Sequence, residues 1–454
     1  MTRKMIKMSD LVDVISMGPF GSDITVDNYV SSGVPVLNGS NISGVKLRDG
    51  FTNYLTSEKA KSLKKANAKR GDIIVTHRGT LGQISYIPED SEFDNYVISQ
   101  SQFRVKLKTD LIDPVYFTYY FHTSEGQKRL LSFKNHVGVP ALAQATTNFR
   151  LLEIPYQAID TQRQIAKVLS DLDSKIELNN KINAELEAMA KLIYDYWFVQ
   201  FDFPTSAAYA ASVGKPNLKD RPYKSSGGKM VYSEELKREI PEAEGWGVGI
   251  IESLLDIELG GTPSTKVAEF WGGDIPWLDS GEIANFPIIE AMEHITEKAI
   301  ENSATSLMPA GTCVLSITRH LRPSILAVDS CANQSVVGIY ESDKLKSSYI
   351  YPYLKNEIPR LMTLRTGAQQ PHINKGTIDE SLIISPPEDI LVMYYGKVDS
   401  MYKKIINNAL QNKHLASLRD WLLPMLMNGQ VRVGDVQEEL SMAAEELVGY
   451  SKKL

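Results

Sequence analysis

Apolar residues in two stretches of this chain recur at helical spacing. Ile165, Leu169, Leu172, Ile176, Ile182, Leu186, Met189 and Ile193 fall mostly three and four apart, the pattern of a helix with one apolar stripe. Asp160, followed by Arg163 and Gln164, is the expected N-cap, and the helix is predicted over 160–201. The second stripe, Val398, Met401, Ile405, Ala409, Leu415, Leu418 and Leu422, predicts a helix over 388–429 that Pro424 and Gly429 end. Asparagines interrupt both stripes: Asn179, Asn180 and Asn183 in one, Asn407, Asn408 and Asn412 in the other. Polar residues at a helical seam give up stability to fix register and partner. Two such helices can pair antiparallel; a stripe packed on its own domain is the competing arrangement.

Ahead of each helix lies a region punctuated by glycine and proline, with short β-rich runs at Asp72–Thr76 and Gln102–Leu107, then at Val314–Ile317 and Ser335–Tyr340. The two regions repeat one another. Gly33-Val34-Pro35-Val36-Leu37 matches Asp274-Ile275-Pro276-Trp277-Leu278 at an offset of 241. Gly71 matches Gly311 at 240, Arg78 matches Arg319 at 241, and Ser99-Gln100-Ser101 matches Asn333-Gln334-Ser335 at 234. Gly138 with Gly367, Pro155 with Pro386, and Leu186 with Leu415 complete an ordered series. Single matches of this kind arise by chance, whereas a series with a slowly drifting offset marks a duplication. The predicted fold is α+β: two similar α/β domains, 1–159 and 246–387, separated by two long antiparallel helices, 160–201 and 388–429, in a coiled-coil spacer with a pseudo-two-fold. Residues 202–245, with an Ala/Ser run and Ser225-Ser226-Gly227-Gly228, read as a linker, and 430–454 as an acidic tail.

The 454 residues are 43% hydrophobic and 23% charged, a globular composition. Cys313 and Cys331 are the two cysteines, so neither a disulfide framework nor a four-cysteine zinc site is available. The polar, basic start from Met1 to Asp10 does not resemble a signal peptide, and no apolar run approaches ~18 residues, so a reducing, cytoplasmic setting is expected. Net charge is −6, yet residues 1–159 hold 19 basic and 15 acidic residues, a net of +4. Lys59, Lys61, Lys64, Lys65, Lys69 and Arg70 cluster there as a phosphate-binding surface or a plain solvated helix face.

No catalytic constellation is evident. The chain has no Gly-x-x-x-x-Gly-Lys-Ser/Thr loop for a nucleoside triphosphate. Ser385-Pro386-Pro387-Glu388 lacks both ends of the arrangement by which a methyltransferase holds a flipped base. Glu235-Leu236-Lys237 fits part of a metal nuclease site but lies in the linker, and the seven histidines show no metal-ligand spacing. A non-enzymatic role follows, with no metal; the competing reading is a self-contained DNA-acting enzyme with a cryptic site.

Several segments carry a resemblance to a known family. Arg70-Gly71-Asp72-Ile73-Ile74-Val75-Thr76-His77-Arg78-Gly79-Thr80-Leu81-Gly82, and Gly260-Gly261-Thr262-Pro263-Ser264-Thr265-Lys266 leading to Ile275-Pro276-Trp277-Leu278, resemble the target-recognition domains of type I restriction–modification specificity subunits. Asn183-Ala184-Glu185-Leu186-Glu187-Ala188-Met189 ending in Trp197-Phe198-Val199-Gln200-Phe201-Asp202 is similar to that family's central helix, and Leu415 through Pro424 with Asn428-Gly429 to its C-terminal one. Two departures stand out: Gly18-Pro19-Phe20-Gly21-Ser22 replaces the Gly-Gly-Thr-Pro-Ser motif in the first copy, and Gly79 is matched by His320. The resemblance implies that each domain reads one half of a split, asymmetric double-stranded DNA target. It further implies two modification (methyltransferase) subunits docked on the helices, bringing S-adenosylmethionine, and restriction (translocase–nuclease) subunits bringing ATP and Mg²⁺. The chain itself would bind no cofactor and catalyse nothing.

Base edges are read by arginine at guanine and by asparagine or glutamine at adenine. In the first domain the candidates are Asn38, Ser40, Asn41, Arg78, Thr80 and Lys134. In the second they are Thr262, Ser264, Arg319, His320, Arg322, Gln369, Gln370 and His372. Arg78 and Arg319 lead because each follows a β-rich run at a matched point; an ion-pairing role is their plain alternative. Trp197, Phe198, Phe201, Trp421 and Leu422, at the helix ends, are candidate partner anchors, with burial between helices and domains the competing account.

Overall fold

The computed structural model describes residues 4–135, 140–212, 214–242, 245–367, 369 and 371–435. The chain divides into two compact units, residues 1–176 with 414–454, and residues 177–413. In the first unit, β1 (Val12–Met17), β2 (Ile73–Thr76), β3 (Ile84–Tyr86) and β4 (Gln102–Leu107) form an antiparallel sheet in the order β1-β4-β2-β3. β2 is Ile-Ile-Val-Thr, wholly buried and β-branched, which suits the sheet's interior. Helix α1 (Pro114–His122) starts at Asp113, whose carboxylate accepts the N–H groups of Val115 and Tyr116, with Pro114 at the first helical position. Its Phe117 and Phe121 pack with Phe149, which meets Phe103 of β4 edge-on at 5.2 Å.

Then follows α2 (Ile159–Tyr194), whose first half belongs to this unit. Ile165, Leu169 and Leu172 share one core with β2, β4, α1 and Leu422, Leu423 and Leu426 from the chain's last long helix. Asp160 lies inside the first helical turn instead of capping it.

The second unit repeats the plan. β5 (Ile257–Leu259), β6 (Cys313–Ser316), β7 (Arg322–Ile325) and β8 (Val336–Ile339) adopt the order β5-β8-β6-β7. Gln102 pairs with Thr76 in one sheet and Val336 with Ser316 in the other, so the register is the same. The parallel bridge Val36–Val97 has its equal in Trp277–Cys331, as the offsets of 241 and 234 require. Helix α3 (Ser347–Thr363) takes the place of α1 and buries Tyr349, Ile350 and Leu354. Helix α4 (Glu388–Met427) matches α2. Pro424 lies within α4: missing only its own N–H, it leaves one more turn possible, and Gly429, at φ 70°, follows the end.

Within each unit the two long helices pair antiparallel. In the first, Arg419 meets Asp173 at 2.5 Å, and Gln157 donates to the carbonyls of Leu426 and Met427. In the second, the asparagines face one another. Asn179 Nδ2 donates to Asn412 Oδ1 and Asn408 Nδ2 to Asn183 Oδ1, both at 2.8 Å. At the offset of 229 that relates Leu186 to Leu415, Asn179 maps onto Asn408 and Asn183 onto Asn412, so each bond is the other's image. Asn179 and Asn408 are buried, and every bond they make would be lost by a slip of one turn. Asn407 is exposed and takes no part.

Residues 202–245 are not an open linker. Asp202 accepts the Ser225 N–H and hydroxyl, Phe203 stacks on Tyr223 at 4.7 Å, and Met230–Ser233 pairs with Arg238–Pro241 as a hairpin. Phe203, Tyr223 and Ile240 join the second unit's core, which is where the apolar residues of this Ser/Gly-rich stretch are buried. Gly138 and residues 436–454 of the expected tail lie outside the described residues.

Candidate nucleic-acid interface

In each unit the loops after the first and second strands, and before the third and fourth, gather at one end of the sheet. In the first unit the β2–β3 loop is laced to its neighbours. The His77 N–H donates to Ser101 O and its carbonyl accepts from Leu142 N–H, Arg78 bridges Ala141, and the Gly79 N–H donates to Pro140 O at 2.9 Å. Gln83, which its polar side chain alone did not single out, accepts from Thr76 Oγ1 and donates to Gly39 O, tying in the 38–41 turn.

The second unit repeats this lacing. Ile317 bonds Ser335 and Ile373, Thr318 bridges His372, and the Arg319 N–H donates to Pro371 O at 2.9 Å. Arg319 is therefore the equivalent of Gly79, and Arg78 of Thr318. The expected pairing of the two arginines is one residue out of register, because the offset is 240 here and not 241. The backbone at this station is left-handed in both copies, φ 91° at Gly79 and 56° at Arg319. Glycine adopts that conformation freely, whereas it costs an L-residue roughly 1–2 kcal/mol.

The candidate readers separate into two groups. Ser40, Arg78, Thr80 and Lys134 are exposed at the first loop cluster; Thr262, Ser264, Arg319, His320, Arg322, Gln369 and His372 are exposed at the second. Thr262 shares its hydroxyl with Gln334. Asn41 is buried, its amide held by Arg48 O at 3.1 Å while its oxygen accepts the Asn38 N–H, so it shapes the turn and presents nothing outward. Asn38, half-buried, accepts from the Ser40 N–H and hydroxyl and closes the same turn. Gln370 lies outside the described residues. Lys61, Lys64 and Lys65 of the basic run are exposed, while Arg70 is engaged with Ser91 O and Asp94.

The aromatic anchors mostly turn inward. Trp197, Phe198 and Phe201 are buried in the second unit's core and Leu422 in the first's; Trp421 stays half exposed. The reason is a break in helical period: α2 ends in a π-turn over Asp195–Val199, with the Gln200 N–H donating to Asp195 O, which rotates successive side chains onto the domain.

His77 and His122 have pKa values lowered chiefly by burial, against the raising effect of hydrogen bonds to the carbonyls of Gln100 and Ile84. A histidine held neutral in the folded chain binds fewer protons than in the unfolded one, so stability is full above the unfolded value of ~6.5 and falls as pH drops below it. Urea midpoints of the intact chain at pH 7.5 and 5.5 are expected to show that loss, and His122→Gln, which keeps a donor for Ile84 O, to reduce it. An unchanged slope in the variant would remove His122 from the account.

Among the described residues no group of three or more His, Cys, Asp or Glu is placed to hold a metal, and no helix is long and apolar enough to cross a membrane. The duplicated domain thus keeps one sheet order and one set of loop hydrogen bonds while the side chains mounted on them change. The family model of the type I restriction modification DNA specificity domain matches residues 4–188 and 243–413, and the chain belongs to that family as a type I restriction–modification specificity subunit. It is 25% identical over 402 residues to the HindI specificity subunit of Haemophilus influenzae, covering 80% of this chain and 87% of that one. With the MjaIX specificity subunit of Methanocaldococcus jannaschii it shares 26% over 373 residues, 81% and 79% of the two chains. The crystal structure of the S subunit of a type I system from M. genitalium has the same fold, with a TM-score of 0.56 at 14% identity, covering 94% of this chain and 96% of that one.

Proposed function

We propose that each domain reads one half of a bipartite, asymmetric DNA target and that the paired helices hold the half-sites at a set spacing. The observation that carries this reading is the swap of chemistry on a constant scaffold: Arg78-Gly79-Thr80 in one copy stands where Thr318-Arg319-His320 stands in the other. Matching backbone bonds at the loop tip with different side-chain donors suit two different base sequences. Leu192 (66% exposed) and Trp421 (52%) occupy equivalent stations on the two helices, which supports two like docking faces for two modification subunits, with restriction subunits joining through that assembly. S-adenosylmethionine would be held by the modification subunits, ATP and Mg²⁺ by the restriction subunits, and the whole would act in the cytoplasm. This chain would supply recognition without catalysis.

The test is to exchange residues 1–155 for the equivalent part of a related chain and map methylation by the assembled complex. The cut follows the strand pair Met5–Lys7 with Glu153–Pro155, which closes the first domain. One half of the methylated motif should change and the other stay. Change in both halves, or turnover by this chain alone with labelled S-adenosylmethionine or Mg²⁺, would overturn the reading.

A further inference from the structure

Arg319 stands where the fold asks for glycine. Its counterpart Gly79 has the same N–H bond and a left-handed backbone, with empty space around a would-be Cβ, so nothing steric calls for a large side chain at this tip. The arginine is nonetheless clamped. Its N–H donates to Pro371 O, and its carbonyl accepts from Arg365 Nη1 at 2.8 Å, while Arg365 Nε donates to Met362 O at 3.1 Å, anchoring the tip to the end of α3. On the next residue, the His320 carbonyl accepts from Ser316 Oγ at 2.6 Å. The backbone is thus fixed on both sides of Arg319, while its guanidinium is exposed and has no partner among the described residues.

The other copy sharpens the contrast. Asn135 bonds Ala141 as Thr366 bonds His372, so Lys134 is the counterpart of Arg365. Beside a glycine tip, Lys134 is exposed and its ammonium has no partner among the described residues; beside the arginine tip, the matching cation is spent on the tip's carbonyl. A cation that binds a backbone oxygen next to a strained arginine serves placement. Holding a side chain in one orientation before the ligand arrives is what a bidentate contact to a base edge requires.

We infer that Arg319 sets the specificity of the second domain for a guanine in its half-site, and that Arg365 is the positioning residue that holds Arg319 in its left-handed conformation. The inference rests on the half-site reading proposed above and adds to it which side chain reads and which one aims.

Arg319→Gly gives the loop the residue its counterpart carries. In the complex with modification subunits, its methylation map should keep the first half-site and lose a guanine requirement at one position of the second. Discrimination there should fall roughly ten- to a hundredfold, the range of one arginine–guanine pair. The thermal midpoint should hold or rise, since the strain is gone. Arg365→Gln should relax the same position, Arg365→Lys should restore part of it, and Arg365→Gln added to Arg319→Gly should change nothing further. An unaltered map for Arg319→Gly overturns the inference, as does a salt dependence reduced by one phosphate contact with specificity intact. Equal effects of Arg365→Gln with and without Arg319 would make Arg365 merely structural. If the exchange of residues 1–155 changes neither half-site, the half-site reading fails first, and that result is separate from these.

Discussion

Phe198→Ala is expected to destabilise the second unit by about 3–5 kcal/mol, the cost of removing a large buried ring whose site collapses only in part. Phe198 lies edge-on to Tyr349 and Tyr394 at 4.9 Å each, with Tyr194 at 5.3 Å, and is 2% exposed. These neighbours come from α2, α3 and α4, so no single segment can move in to fill the void. Four of the five tryptophans, Trp197, Trp246, Trp271 and Trp277, belong to this unit, so tryptophan fluorescence against urea reads its unfolding directly. Trp421→Ala is the contrasting change: at an exposed position it should stay within about 0.5 kcal/mol and weaken docking of a modification subunit. A Phe198→Ala chain of unchanged stability that no longer binds that partner would return the ring to the interface.

Gly260→Ala should cost about 3 kcal/mol, at the upper end of what overpacking does, and leave the bases read by folded molecules unchanged. A methyl group at Gly260 would lie 2.3 Å from Asn333 O and 2.5 Å from Ala332 O. Neither carbonyl can withdraw freely, because Asn333 O accepts the Val336 N–H at 3.1 Å and Ala332 O the Gly261 N–H at 2.8 Å, while the Gly260 N–H donates to Val336 O. At Gly18, the same station of the first copy, an added methyl would lie 1.9 Å from Ser99 O, and the Gly18 N–H donates to Gln102 O, so Gly18→Ala should behave alike. Urea titration measures the loss, and a methylation map of the surviving complex measures the specificity. A folded Gly260→Ala chain with a new target would show that this motif reads DNA.

Gly-Gly-Thr-Pro-Ser and Gly-Pro-Phe-Gly-Ser look unlike one another, yet their first glycines do the same work: close approach of one backbone to another, which leaves no room for a side chain. The shared requirement was visible as a glycine; its cause was not. Likewise the asparagine interruptions marked a seam, and both their partners and their symmetry agree with the repeat. The aromatic helix ends were the reverse case. Their spacing is equally suited to an outer face or an inner one, and only the π-turn at Asp195–Val199 turns Trp197 and Phe198 inward.

Register was the finest thing the chain left open. Arginine after a β-run in both copies invites an alignment of Arg78 with Arg319, and chemistry alone offers no reason to refuse it. Hydrogen bonds refuse it, because Pro140 and Pro371 each bind the residue at the left-handed station, glycine in one copy and arginine in the other.

Duplication, the two long helices, the buried β-runs and the family were determined by the sequence itself, because periodicity, turn residues and repeated spacing are local and survive without contacts. Which polar residues face outward, that Asn41 closes a turn while Arg319 is presented from one, and that residues 202–245 fold onto a core were decided only by tertiary structure. Those outcomes depend on which distant carbonyl or ring fills each side chain's remaining valences and surface, and no residue carries that information in its own identity.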